Sequence, residues 1–166
     1  MLLAGGLHLA AWAWIGNLGD LSLHITELWW ALVPILLGYA LAAWLVLADG
    51  GPIPYAMRII GGIAVCSRLL LLDTTPTLSD DIYRYVWDGH VQAAGLNPYS
   101  YAPEDEALIE LRNDDWVKIN HAELVTVYPP VAQWFFHGVQ HFTPGVTGMK
   151  AALVVCDVLL LLVLWR

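Results

Sequence analysis

The run from Leu28 to Ala48 contains no charged residue, and this constrains the fold more than any other feature. As a helix it is long enough to cross the roughly 30 Å hydrocarbon core of a bilayer. In lipid, backbone polar groups must be satisfied within the protein, which leaves helices and closed barrels as the spanning forms. Pro34 inside the run is tolerable there, because neighbouring helices can satisfy the carbonyl it frees. Trp29 and Trp30 mark an interfacial belt at its start. Gly148 to Trp165 is a second run of this kind, with Asp157 as its only internal acid.

Three weaker runs accompany these two. Ile53–Leu72 carries Arg58 and Arg68, each about a turn from its own end, where the long stem can snorkel to the interface. Gly61-Gly62 in that run allows close helix packing. Met1–Gly16 is short and has His8 near its middle. It lacks the positive n-region of a signal peptide and reads as a first membrane helix. Val125–Phe142 is interrupted by Gln133, His137 and Gln140, and Pro129-Pro130 suits a first helical turn. The expectation is an all-α integral membrane protein with about five transmembrane helices and one external loop containing interfacial helices. Residues 1–72 hold three membrane helices, 73–124 the loop, and 125–166 two more. The chain ends directly after an apolar run, so it is expected to be the N-terminal part of a longer protein.

Composition agrees. Hydrophobic residues make up 58% and charged residues 13% of the chain, against about 25% charged in soluble domains. Between Asp73 and Glu123 there are eleven acids and three bases, so the whole net charge of −8 resides in that loop. No basic patch exists to neutralise phosphates along a polymer, which argues against a nucleic-acid partner. Arg58 and Lys150 at helix starts place their adjoining turns in the cytoplasm and the long loop outside. Cys66 and Cys156 lie inside apolar runs and read as small packing residues rather than a disulfide pair or metal ligands. His8, His24, His137 and His141 fit no metal spacing.

Thr77 to Gly95 reads as a helix in the loop, capped by Thr77 or Ser79, with Asp80 and Asp81 in its first turn. Gly95 followed by Asn97-Pro98 ends it. A spacing of four puts Asp80, Arg84 and Asp88 on one face, so Arg84 can pair with either acid. A second helix is expected from Pro103 to Asn120, with Leu108, Leu111, Trp116 and Ile119 as its apolar stripe. The adjacent acids have three readings. They cap a helix, they supply a carboxylate base at the membrane edge, or they contribute oxygen ligands to a divalent metal. Arg84, His90, Lys118 and His121 are candidate partners for a lipid-linked phosphate, and each also reads as a solvated or ion-paired surface group.

The segment LSDDIYRYVWDGHVQAAGLNPYSYAP, Leu78 to Pro103, resembles the first external loop of the GT-C superfamily of glycosyltransferases that use polyprenyl-phosphate sugars, above all its bacterial α-mannosyltransferase-like members. LRNDDWVKINH, Leu111 to His121, and VYPPVAQ, Val127 to Gln133, extend the likeness. The resemblance implies a multi-pass enzyme of the cell (inner) membrane that moves a hexose such as mannose from a polyprenyl-phosphate donor to a lipid or glycan acceptor. It implies a catalytic base at Asp80 or Asp81, with Asp80 favoured because some relatives have Asp-Glu here. It gives Tyr128–Pro130 a structural role near the active site. The alternatives are a non-catalytic membrane scaffold, a transporter fragment or an inactive truncated product. Transport is disfavoured by the crowding of polar groups in one loop rather than inside the spans.

Overall fold

A computed structural model describes residues 2–48 and 55–164. Among these the chain is all helical: α1 (Leu2–Asn17), α2 (Ile25–Ala48), α3 (Ala56–Leu70), α4 (Asp81–Ala93), α5 (Pro130–Phe142) and α6 (Val146–Leu164), with two 3₁₀ turns at Glu106–Leu111 and Trp116–Lys118. The expected starts at Met1 and Ile53, the turn from Asp49 to Ile53 and the end at Trp165 lie outside the described residues. The chain divides into two compact units, residues 1–77 with 156–166, and residues 78–155.

Two helices, α2 and α6, are long and apolar enough to cross a membrane. They fall where the two clearest apolar runs, Leu28–Ala48 and Gly148–Trp165, were expected. The other three expected spans are shorter. At 1.5 Å per residue, α1, α3 and α5 reach only ~20–24 Å, less than the hydrocarbon thickness.

In the first unit α1 packs on both α2 and α3. Ala11 and Ile15 of α1 meet Ala31 and Ile35 of α2. Gly38 permits this approach, since a Cβ there would sit 3.3 Å from the Ala4 carbonyl oxygen. The turn between α1 and α2 is closed by Asp20, whose Oδ1 accepts from the Ser22 hydroxyl at 2.6 Å and from its backbone N–H at 2.9 Å. These bonds hold the Asp20 carboxyl below its ordinary range. Leu21 N donates to Thr77 Oγ1 at 2.9 Å, so Thr77 ties this turn to the segment after α3 instead of capping α4. Arg68 was expected to snorkel. Its Nε instead donates to Asp157 of α6 at 2.8 Å. Both cysteines are exposed on their helices rather than packed inside.

The second unit is built around α4. One side, Tyr83, Trp87 and Val91, packs on Leu108 and Ile119. The other, Val86, packs with Phe136, Val139 and Met149. Gly89 is the point of closest approach to α5, since a Cβ there would lie 2.5 Å from the Phe136 carbonyl oxygen. The end of α4 forms the expected glycine cap. Gly95 has φ +80°, Gly95 N donates to Gln92 O, and Leu96 N donates to Val91 O.

The expected second loop helix is replaced by the two 3₁₀ turns. Asn113 Oδ1 accepts from both Asp115 N (3.1 Å) and Trp116 N (3.2 Å), and Arg112 is extended. This local side-chain turn competes with the helix ladder and breaks it. Helix α5 starts at Pro130, as the Pro-Pro pair suggested. Its polarity is inverted: Gln133 and Gln140 are buried, while Val131, Trp134 and Phe142 are exposed at 72–80%.

Candidate functional site

The site begins where α4 begins. Ser79 Oγ accepts from Asp81 N at 3.3 Å, capping the helix. Asp80 occupies the N-cap position, but its side chain makes no capping bond. Its backbone carbonyl accepts from Tyr83 N, and its carboxylate is exposed. Helix α4 therefore starts at Asp81, later than Thr77, and only Asp81 lies inside the first turn.

Asp81 is half-buried, and its Oδ1 accepts a hydrogen bond from the Tyr128 hydroxyl at 3.3 Å. Tyr128 stands over an aromatic floor. Its ring meets Tyr85 edge-on at 5.0 Å and Phe136 edge-on at 5.7 Å, and Tyr85 stacks on Phe136 at 4.7 Å. Burial pushes the Tyr128 phenol well above its ordinary value, and Tyr85 and the Asp81 carboxylate push it further. Tyr128 therefore keeps its proton at neutral pH and serves as a fixed donor to Asp81.

A buried polar network positions Tyr128. Arg84 Nε donates to Asp88 Oδ1 at 2.8 Å, and Arg84 Nη2 donates to the Leu124 carbonyl at 3.0 Å. Gln133 Nε2 donates to Asp88 Oδ2 at 2.7 Å and to Thr126 Oγ1 at 2.8 Å. Gln92 Nε2 closes the set on Gln133 Oε1 at 2.8 Å. Arg84–Leu124 ties α4 to the strap 124–126, Asp88–Gln133 and Gln92–Gln133 tie α4 to α5, and Gln133–Thr126 ties α5 to the strap, so the network brackets Tyr128. Tyr99 Oη adds a donor to the Tyr128 carbonyl at 2.5 Å.

The remaining sequence-expected groups do not converge on Asp81. Arg84 is 6% exposed and committed to Asp88, so its charge is used inside the unit rather than turned to a phosphate. His90 lies nine residues along α4, about half a turn out of phase with Asp81, beside Trp87 at 6.3 Å. Lys118 Nζ pairs with Asp115 at 2.7 Å and sits 4.9 Å from the Tyr83 ring centre. That hydrogen bond to Asp115 raises the Lys118 pKa. His121 is exposed with φ +49°, its Nδ1 3.4 Å from Glu123 Oε1. Among the described residues, no three His, Cys, Asp or Glu side chains group as a metal site. The residue that sequence reasoning gave only a structural role is Tyr128. Its signal was its place in the Tyr-Pro-Pro motif, but nothing local indicates that its hydroxyl reaches an acid 47 residues away.

No family model, curated protein or solved structure matches the chain.

Proposed function

We propose that this chain belongs to a GT-C-type membrane glycosyltransferase that transfers a hexose from a polyprenyl-phosphate carrier to an acceptor hydroxyl. Asp81 is the base. It takes the acceptor proton as the acceptor oxygen bonds to the anomeric carbon. The bond from that carbon to the phosphate oxygen breaks, and polyprenyl phosphate departs with its charge. The observation that carries this reading is the bond from Tyr128 to Asp81 Oδ1. It joins the Asp-Asp and Tyr-Pro-Pro motifs of the resemblance in one place and leaves Oδ2 to meet a hydroxyl. A general base must be held within hydrogen-bond reach of the proton it takes, and of the two acids it is Asp81 that carries such a restraint. The exposed Asp80 stands beside it as the second acid of the pair.

In this reading the chain is multi-pass in the inner membrane. The segment from Asp73 to Leu124 is on the extracytoplasmic side and the α1–α3 bundle is in lipid. Support comes from the long, strongly apolar α2 and α6, and from the outward Val131, Trp134 and Phe142 of α5, an apolar face that water would disfavour. The test is transfer of labelled mannose from polyprenyl-phosphate mannose in membranes carrying the chain. Transfer that Asp81→Asn lowers by about 10²–10⁴-fold is expected. Transfer that survives Asp80→Asn/Asp81→Asn unchanged would sink the assignment.

A further inference from the structure

Asp81 and Tyr85 lie four residues apart on α4, on one face of the helix. Each is partly exposed, as is Tyr128, which packs against them. The Tyr85 ring is held by two neighbours. It stacks on Phe136 at 4.7 Å and meets Tyr128 edge-on at 5.0 Å. Its hydroxyl bonds to that of Tyr128, one of the contacts that raise the Tyr128 phenol. The Asp81 carboxylate and two phenol oxygens therefore gather in one partly open place at the start of α4.

The protons present decide what this place can bind. A phenol has one O–H to donate, and a carboxylate has none. Tyr128 gives its proton to Asp81 Oδ1 at 3.3 Å. In the contact between the phenols Tyr85 must then be the donor and Tyr128 Oη the acceptor. Asp81 and Tyr85 are left with lone pairs and no proton to give, so a ligand must bring two donors. The hydrogen bonds in series keep the free Asp81 oxygen within roughly 8 Å of Tyr85 Oη. Vicinal hydroxyls, about 3 Å apart with a hydrogen bond of about 2.7 Å at each end, bridge such a gap. The proposed reaction already requires one hydroxyl at Asp81. Its neighbour on the same molecule is the second donor.

We infer that Asp81 and Tyr85 bind two adjacent hydroxyls of the acceptor, the first as nucleophile and the second as the group that identifies it, so the acceptor is a vicinal diol of a polyol such as a sugar ring and not a lone alcohol. The inference rests on the glycosyl-transfer reading above, and within it Tyr85 is the specificity-determining residue.

The test measures kcat and KM in membranes carrying the chain, with labelled polyprenyl-phosphate mannose as donor. The acceptors are a methyl hexoside, its monodeoxy analogues and a simple long-chain alcohol. With the wild type, removal of one hydroxyl should abolish transfer, and removal of its neighbour should lower kcat/KM by about tenfold, the worth of one hydrogen bond. In Tyr85→Phe, which keeps the ring stack, that second penalty should vanish. A penalty equally large in both proteins would overturn the role of Tyr85. So would a Tyr85→Phe loss that is uniform over all acceptors, since Tyr85 would then act through Tyr128 alone. A lone alcohol used as well as the hexoside would overturn the diol assignment while leaving the transferase standing. No transfer to any acceptor by the wild-type chain would overturn the glycosyl-transfer reading, and this inference with it.

Discussion

The Tyr128 hydroxyl donates to Asp81 Oδ1 at 3.3 Å, which joins the first turn of α4 to the residue just before the Pro-Pro start of α5. Because the phenol is held protonated, it orients the carboxylate and does not exchange protons with it. Tyr128→Phe should therefore lower transfer modestly, by about tenfold, the cost of a lost hydrogen bond to a charged group. Asp81→Asn should lower it by about 10²–10⁴-fold. In the double variant the Tyr128→Phe effect should vanish, because the hydroxyl then has no carboxylate to position. Initial rates of mannose transfer for the four proteins measure the cycle. Independent, additive losses would rule out the positioning role.

The Arg84–Asp88 pair is buried, at 7% and 1% side-chain exposure. Removing one partner strands the other charge. Asp88→Ala should destabilise the second unit by about 3–5 kcal/mol, and replacing both residues by apolar ones of similar volume should recover much of that loss. Denaturant or thermal unfolding in detergent measures both. A double variant no better than Asp88→Ala would show that the fold needs the bonds to Leu124 and Gln133 themselves.

Some of this was legible in the sequence. The two crossing-length helices follow from long apolar runs, and the end of α4 from Gly95. The spacing of four placed Arg84 within reach of both Asp80 and Asp88, but burial made the choice. Asp80 is exposed at the helix start, while Asp88 sits where α5 presses on α4. The stripe of Leu108, Leu111, Trp116 and Ile119 suggested one helix. Two short turns bring the same residues to the same core, and the Asn113 side chain decides between these solutions. Short α5 was read as a span because its outward face is apolar, and at 13 residues it is not among the two helices long enough to cross a membrane. The polar face that it buries is matched by Asp88, 45 residues before Gln133, and no local pattern encodes that pairing.

Gly89 and Gly138 make a matched comparison on the two packed helices. A Cβ at Gly89 meets the α5 backbone at 2.5 Å, whereas one at Gly138 meets nothing within 4 Å. Gly89→Ala should push α4 and α5 apart and cost about 1–3 kcal/mol. Gly138→Ala should be neutral or stabilising by up to about 1 kcal/mol, through reduced freedom of the unfolded chain. Unfolding midpoints in detergent decide the matter. Equal effects would mean that the contact at Gly89 is not tight.

Alkaline pH probes the same unit through Tyr128. The sign follows from the raised phenol pKa. A group whose folded pKa lies above its ordinary value contributes fully below that value, and its contribution is lost as pH climbs toward the folded pKa. Stability should hold up to about pH 10, the ordinary tyrosine value, and fall beyond it as ionisation draws the phenol out of its buried place. Lys118, raised by Asp115, adds a loss of the same sign, but it is exposed and screened, so its share is small. Tyr128→Phe removes the larger part. Unfolding midpoints of the wild type and Tyr128→Phe across the alkaline range should diverge below pH 10 and converge above it. Parallel curves would mean that the Tyr128 phenol titrates no differently in the folded chain than in the unfolded one.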